Sequence, residues 1–590
     1  MAAEPSHRRF EDAGASGLEE HLETVHFPQG SCLMREGSPG EACYVIVAGE
    51  VRVEVERPDF DSNGVVSFMG PGAVCGELGL LDDSPRSASV YAQTDVTARR
   101  LSAGALRELC DRDPAAGVMM LRWLARNAAE KARTFSKNLE EFIFTDEPDP
   151  AVDALIARSA AAQESIAGWQ EDQIDGLITA LAAQIADHAE ELAAATVAET
   201  RIGCVADKVL KNQFASLGVA QSLVGKPGVG VIDEGESLTE IADPVGVVLG
   251  LIPVTNPVST LVFKALICIK ARDALIASCH PYAAQVGART IDLLRQALVR
   301  HGASADLVQG VLRRPTRRTT AALMHHPGVS MILATGGAAM VKAAYSSGTP
   351  AIGVGPGNAP TWVCADADVE EAARMVVASK SFDHGIICGS ENNLVVDRSV
   401  REIFIGALRQ AGAAVLDAAE CERLARVAFD GEHLSRNVLG QAAAAIAAQA
   451  DIEVPAGVRL LVAPLPRQAV PGPFGREKLA PILSLFTADG EDDGMALCLQ
   501  ILGNGGRGHS AAIHTRSERL QSSFAQQMPA SRILVNSPAA QGCIGLGNGL
   551  TPSLTLGCGT YGRTSTTDNV TYTHLINIKR MARPLADVPV

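Results

Sequence analysis

Between residues 27 and 101, apolar and polar side chains alternate in short runs, among them Tyr44-Val45-Ile46-Val47 and Val51-Arg52-Val53-Glu54-Val55. Gly30, Gly37, Gly40, Gly49, Gly64, Gly70 and Gly72 punctuate these runs. A period of two places alternate side chains on opposite faces of a strand, and turns at this density predict a small β-barrel or jelly roll. The spacing then lengthens: Leu106, Leu109, Val118, Met119, Leu121, Leu124 and Ala128 recur at helical intervals and predict one or two helices after the barrel. In Thr145-Asp146-Glu147-Pro148-Asp149-Pro150, two prolines and three carboxylates neither continue a helix nor enter a core, so a linker is expected there. From Ala151 to about Ala198 the pattern is Ala-rich, Leu-rich and helical, and from Gly246 onward strand-like runs alternate with helical stretches. That order predicts an α/β body on a parallel sheet. Ala442 to Ala450 reads as one more helix. The expected organisation is a barrel domain over 20–143, a linker over 144–150 and an α/β body over 151–590. Residues 1–20 read as disordered, with no role assigned.

Composition narrows the class. The chain has 590 residues, 47% hydrophobic and 20% charged, enough for several cores. Its 51 basic against 67 acidic side chains leave a formal charge of −16, which argues against a general nucleic-acid partner. Met1 to Gly14 has no apolar core segment, so no signal peptide is expected there. Lys264, Lys270 and Arg272 interrupt the longest apolar stretch, Gly246 to Ala277, so no membrane span is expected. Thirteen cysteines lack CxxC pairs and zinc spacing, which predicts reduced thiols, no metal site and a cytoplasmic location.

Two segments carry chemistry. Gly70 to Val90 reads Gly-Pro-Gly-Ala-Val-Cys-Gly-Glu-Leu-Gly-Leu-Leu-Asp-Asp-Ser-Pro-Arg-Ser-Ala-Ser-Val. Its glycine turn exposes backbone N–H groups to an anion, Glu77 can accept from a ribose hydroxyl, Arg86 can clamp a phosphate with two N–H groups, and Ser87 adds a donor. The plain alternative is a surface pair of Glu77 with Arg86. This segment resembles the phosphate-binding cassette of cyclic nucleotide-binding domains, a likeness covering about residues 20 to 140. The resemblance implies that Gly76, Glu77, Leu78, Arg86 and Ser87 bind cyclic AMP or cyclic GMP, with the choice of base open. The second segment is Ser381-Phe382-Asp383-His384-Gly385-Ile386-Ile387-Cys388-Gly389-Ser390-Glu391-Asn392, a thiol in a small-residue turn before the strand-like Leu394-Val395-Val396. A thiolate can attack an aldehyde, release a hydride as a hemithioacetal and remain as a thioester. A buried inert cysteine is the ordinary alternative.

Several further segments fall in order around Cys388. They are Ile252-Pro253-Val254-Thr255-Asn256-Pro257, Ala334-Thr335-Gly336-Gly337, Gly353 to Pro360, Glu477-Lys478-Leu479 and Ser553 to Gly559, with Glu199-Thr200 and Asp207-Lys208-Val209 upstream. Together they resemble the aldehyde dehydrogenase superfamily across about residues 151 to 590, and more narrowly its coenzyme A-acylating branch. The resemblance implies a cofactor-binding part over about 151–380, a catalytic part over about 381–570 and a C-terminal segment returning to the sheet. It also implies Cys388 as nucleophile, Asn256 as oxyanion donor with the Cys388 backbone N–H, His509 in acid–base work, and Thr255, Thr335, Gly336, Gly337 and Glu477 at the dinucleotide. Taken alone, Asn256 before a proline also reads as an Asx-turn, Gly336-Gly337 as an ordinary turn, Glu477 as a solvated carboxylate and His509 as a structural histidine.

Hydrolytic relatives carry a glutamate base in Glu-Leu-Gly-Gly, where this chain has Val354-Gly355-Pro356-Gly357-Asn358. Valine cannot activate water, so the expected acyl acceptor is coenzyme A. Cys279-His280 stands where many hydrolytic relatives have a ribose-binding lysine, which leaves NAD against NADP open. The expected function is reversible oxidation of acetaldehyde or another short aldehyde to its acyl-CoA with NAD, in a homo-oligomer under cyclic nucleotide control. The alternatives are a sulfoacetaldehyde-type acylating dehydrogenase and a catalytically dead, nucleotide-regulated scaffold.

Overall fold

The computed structural model describes residues 22–55, 64–82, 84–143, 149–311 and 316–585. Residues 1–20, and 144–148 of the expected linker, lie outside the described residues. The chain divides into two compact units, 1–147 and 148–590.

In the first unit, eight strands form two four-stranded antiparallel sheets. They are β1 (Glu23–Phe27), β2 (Cys32–Met34), β3 (Ala42–Ala48), β4 (Val51–Val55), β5 (Gly64–Met69), β6 (Val74–Cys75), β7 (Ser89–Ala92) and β8 (Val96–Ser102). The orders β1-β8-β3-β6 and β2-β7-β4-β5 gather Ile46, Val51, Val90 and Ala98 in one buried cluster, while Cys43 and Val45, on the opposite face of β3 as the alternation requires, belong to another. A short helix Leu78–Leu81 lies between β6 and β7, and helices Ala103–Arg112 and Pro114–Ile143 follow β8. Leu106, Leu109 and Leu124 are buried against the sheets, but Val118, Met119 and Leu121 are exposed. Helical spacing identifies the helix, whereas the neighbours decide which apolar side chains are covered.

The second unit opens with helices Pro150–Ile166, Glu171–Asp187, Ala189–Thr200 and Val205–Gln213. Asp149 caps the first by accepting from the Ala151 and Val152 amides, and Pro150 takes its first turn. Strands β9 (Gly230–Glu234) and β10 (Leu238–Pro244) join the C-terminal strand, β25 (Ile576–Ala582), in a three-stranded antiparallel sheet. A parallel sheet follows, with β11 (Val247–Ile252), β12 (Ala274–Cys279), β13 (Val308–Gly310), β14 (Met331–Ala334) and β15 (Ala351–Gly353) in the order β13-β12-β11-β14-β15. Every residue of β11 and β12 is buried, which is why these strands read as unbroken apolar runs. Strand order reverses between β11 and β14, leaving a crevice at their carboxyl ends.

A second parallel sheet has seven strands: β16 (Ala359–Val363), β17 (Glu391–Asp397), β18 (Ala413–Val415), β21 (Leu460–Pro464), β22 (Ile482–Ala488), β23 (Gly508–His514) and β24 (Ala530–Val535). Their order is β18-β21-β22-β17-β16-β23-β24, with a small hairpin, β19 (Phe429–Asp430) and β20 (His433–Leu434), outside it. Because β16 hydrogen-bonds to β17 and β23, the change from one sheet to the next falls between Gly353 and Ala359. That is ahead of the boundary expected near 380: residues 359–380, including helix Val369–Ser381, belong with the seven-stranded sheet. The C-terminal strand β25 (Ile576–Ala582) returns to pair with β10.

Candidate active site

Three loops enter the seven-stranded sheet at the amino ends of β16, β17 and β22 and carry Gly357, Cys388 and Glu477 respectively, and His509 is the second residue of β23. The Cys388 Sγ lies 3.2 Å from His509 Nε2, and His509 Nδ1 is 3.0 Å from the Ser510 hydroxyl. With the thiol donating to Nε2, Nδ1 carries the proton and donates to Ser510. Burial, with the Arg532 guanidinium adding to it, pushes the imidazole down to about 3, so His509 is neutral at pH 7. Burial also pushes the half-buried Cys388 thiol well above its ordinary value, and Cys543 and Glu477 add to that. The resting pair is therefore a neutral thiol beside a neutral imidazole. Thus His509, which sequence alone left open, lies within hydrogen-bond reach of the Cys388 thiol.

Packing explains the loop glycine. A Cβ on Gly357 would lie 1.7 Å from the Cys388 carbonyl oxygen, so only glycine lets this loop pass. Its amide donates to Glu477 Oε1 at 3.1 Å, and Asn358 next door donates to the Gly475 carbonyl at 2.8 Å. Val354 is buried with Ile387, Ala512 and Leu556, and the half-covered Cys388, Phe214, Phe382, Leu550 and Leu554 complete the same apolar cluster. Val354 brings no hydrogen-bonding side-chain group to this cluster.

The other half of the site comes from the five-stranded sheet. Thr255-Asn256 follows β11 and Thr335-Gly336-Gly337 follows β14, so both turns open at the switch crevice. Lys264 spans the two strands, its buried Nζ donating to the Leu251 and Leu333 carbonyls at 2.7 Å each. Asn256 stands at the start of helix Pro257–Lys270, yet its side chain makes no capping bond, which removes the Asx-turn reading. Instead its Oδ1 accepts from Lys211 Nζ and its Nδ2 donates to Thr255 Oγ1 at 3.2 Å. Gly337 begins helix Ala338–Ser346 with φ −63°, and a Cβ there would meet nothing within 4 Å. The buried Thr335 Oγ1 has no hydrogen-bond partner. An open helix N-terminus, space that no side chain fills and an unpartnered hydroxyl fit a phosphate-bearing dinucleotide.

Residues to which sequence attached no role complete the site. Arg532, buried on β24, donates to the carbonyls of His509 (3.1 Å) and Gly557 and to Asn569 Oδ1 (3.1 Å). It fastens the His509 strand to the Gly557–Asn569 segment, and one arginine in a strand gives no sequence signal for that. Lys208 and Lys211, one turn apart on a helix, both contact Asp383. Their spacing of three puts the two lysines on one face of the helix, but their carboxylate partner lies far along the chain.

In the barrel unit, Glu77 and Arg86 do not pair with each other. Arg86 is buried and donates to the Gly76 carbonyl at 2.7 Å and to the Ala42 carbonyl. Glu77, also buried, accepts from Lys131 of helix Pro114–Ile143 at 2.7 Å. Leu78 and Ser87 are exposed.

Among the described residues, no cluster of three or more His, Cys, Asp or Glu is placed to hold a metal ion, and no helix is long and apolar enough to cross a membrane. All thirteen cysteines are free thiols.

A thiol–imidazole pair and a dinucleotide-type crevice thus lie in one body of two parallel sheets, preceded in the chain by a β-barrel domain. Comparison with known proteins agrees. Residues 24–113 match the cyclic nucleotide-binding domain, and residues 141–422 match the aldehyde dehydrogenase family. The chain is 39% identical over 439 residues to the bifunctional aldehyde-alcohol dehydrogenase of Escherichia coli (strain K12), covering 73% of this chain and 49% of that one. It is 35% identical to a sulfoacetaldehyde dehydrogenase of an Acholeplasma species, covering 72% of this chain and 89% of that one. Among solved structures, an acetylating aldehyde dehydrogenase from Geobacillus thermoglucosidasius is similar at 41% identity and a TM-score of 0.73, over 75% of this chain and 98% of that one. The chain belongs to the aldehyde dehydrogenase family, with relatives among its acylating members, and carries an N-terminal cyclic nucleotide-binding domain. It spans about half the length of the bifunctional relatives it matches.

Proposed function

We propose that this chain is an NAD-dependent, coenzyme A-acylating aldehyde dehydrogenase for acetaldehyde or another short apolar aldehyde. The observation that carries the reading is Cys388 Sγ at 3.2 Å from a neutral His509 Nε2. Beside it the base position is filled by the buried Val354.

His509 takes the thiol proton as sulfur bonds to the aldehyde carbon, and the carbonyl electrons move onto oxygen. The amide of Asn256 and the Cys388 N–H stabilise that oxyanion. NAD, held at Thr335-Gly336-Gly337 and Glu477 with Thr255 nearby, supplies the hydride acceptor when bound. Loss of hydride restores the C=O and leaves a thioester on Cys388. Valine at 354 generates no hydroxide, so the thioester waits for the coenzyme A thiol; His509, having released its first proton to solvent, takes the thiol proton as that sulfur bonds to the acyl carbon and Cys388 leaves as the thiolate. The apolar wall of Val354, Ile387, Phe214, Phe382, Leu550 and Leu554 supports a short apolar aldehyde. Arg507, the cation a sulfonate would need, is exposed and outside that cluster.

A cyclic nucleotide at Gly76, Glu77, Leu78, Arg86 and Ser87, either cyclic AMP or cyclic GMP, regulates the enzyme in this reading. Binding must draw Arg86 from two backbone carbonyls and Glu77 from Lys131, so ligand and helix Pro114–Ile143 compete for the same carboxylate. A cytoplasmic homo-oligomer belongs to the same proposal.

The test is NADH formation by the full chain with acetaldehyde, with and without coenzyme A. One NADH per Cys388 without coenzyme A, sustained turnover with it and no burst from Cys388→Ala are expected. Sustained turnover without coenzyme A would refute the acylating reading. Turnover with sulfoacetaldehyde alone would move the substrate to the sulfonate class, which the Acholeplasma relative keeps in view. Inactivity with both would favour the scaffold. Rates unchanged by saturating cyclic AMP and cyclic GMP would end the regulatory part.

A further inference from the structure

We propose that Lys211 is a positioning residue, whose ammonium turns the Asn256 side chain so that its NH2 group, not its oxygen, is presented to the reacting carbonyl. This rests on the reading of Asn256 as oxyanion donor.

An asparagine at a helix start has a strong competing use. Its oxygen ordinarily accepts from the N–H groups of the first turn, and the amide is then turned by the helix rather than by the substrate. Here that bond is absent, and Oδ1 is taken by Lys211 Nζ. An ammonium has only donors, so the atom facing it must be the amide oxygen, and Nδ2 is directed away. Chemistry thereby sets the orientation.

Lys211 is held just as firmly. It is buried and shares Asp383 with Lys208, whose Nζ lies 3.1 Å from Asp383 Oδ2 and 3.2 Å from the Thr255 carbonyl. The Asp383 Oδ1 accepts from the Cys204 amide at 2.8 Å, and the Asp383 amide donates to Asp207 Oδ2 at 2.7 Å. Burial would raise the Asp383 carboxyl, but Lys211 and Lys208 outweigh it and hold the group below its ordinary value. Asp383 has φ 47° and His384 φ 55°, a left-handed pair that brings the carboxylate back toward helix Val205–Gln213. Cys388 follows five residues later on the same segment. One helix therefore grips both the loop that carries the nucleophile and the side chain that serves the oxyanion. At its end the helix widens into a π-helical turn, Phe214–Gly218, which places Phe214 in the apolar cluster with Cys388.

The experiment is a double-mutant cycle on the full chain, read as the rate constant of the NADH burst with acetaldehyde and NAD, coenzyme A omitted. Removing one oxyanion donor costs roughly 10²- to 10³-fold, so Asn256→Ala sets the ceiling. Lys211→Met is expected to lose roughly 10- to 10²-fold in burst rate with little change in aldehyde KM, and less than about 2-fold further in the Asn256→Ala background. The same multiplicative loss in both backgrounds would overturn the proposal, because a merely structural lysine acts regardless of Asn256. A wild-type burst rate in Lys211→Met would also overturn it. A wild-type rate in Asn256→Ala would instead remove the oxyanion reading beneath it. Lys211→Arg keeps a cation against Asp383 and carries the same cycle if the methionine variant does not fold.

Discussion

Cys388 and His509 are 121 positions apart in the chain, and their side chains meet at 3.2 Å. A histidine held to about 3 by burial stays an acceptor at any working pH, whereas an ordinary histidine stops accepting below about 6.5. The burst rate is therefore expected to show no acid limb between pH 5 and 8. His509→Ala should lower it roughly 10²- to 10⁴-fold and make it climb about tenfold per pH unit, because the thiolate must then come from solvent equilibrium. A limb at pH 6 to 7 in the wild type would place another titrating base at Cys388.

The turn after β14 reads as a commonplace Gly-Gly, and its neighbours alone make it informative. Nothing within 4 Å of a Gly337 Cβ and φ −63° mean that the protein itself has no need of glycine there. Gly337→Val should accordingly cost no more than about 1 kcal/mol of stability, for the loss of glycine at the N-cap, while raising KM for NAD roughly 10-fold or more. Unchanged KM would put the dinucleotide elsewhere. Gly357 is the opposite case: its missing Cβ is needed by the Cys388 carbonyl, so substitution there strains the apo fold. Two glycines that look alike in sequence thus differ: packing within the chain demands one and not the other.

Titration of the dehydrogenase unit (148–590) pits two sets of buried groups against each other. Nine thiols there are pushed up by burial, among them Cys279 and Cys543 to about 12, while four lysines are pushed down, Lys264 and Lys380 to about 7. Above about pH 8.5 the unfolded thiols lose protons that the native ones keep, so they reduce stability as pH rises. The lysines act in the opposite sense, because the unfolded chain holds protons that the native state has released. Each group contributes up to about 1.4 kcal/mol per pH unit, so the larger set wins and stability should fall above about pH 8.5. On the acid side, His280 and His514 at about 4 and His509 at about 3 bind protons only when unfolded, and stability should fall again below about pH 6.5. Thermal midpoints from pH 4 to 10 check both limbs, and a midpoint still rising at pH 10 would contradict the thiol account.

Local chemistry was open to reading along the chain. Alternation in 27–101 marks the barrel strands, the unbroken apolar runs of β11 and β12 mark a sheet covered on both faces, and valine at 354 marks a site without a water-activating base. Each depends on neighbours a few residues away, or on a residue type that cannot do a given chemistry in any fold. Long-range partners could not be read. Which sheet takes residues 359–380, which apolar residues of helix Pro114–Ile143 are covered, that Lys131 meets Glu77, and that Lys211 meets Asn256 and Asp383 are settled by packing between segments far apart in sequence. A side chain's hydrogen-bond partner and its pKa are properties of the space around it, and that space exists only once the sheets have assembled.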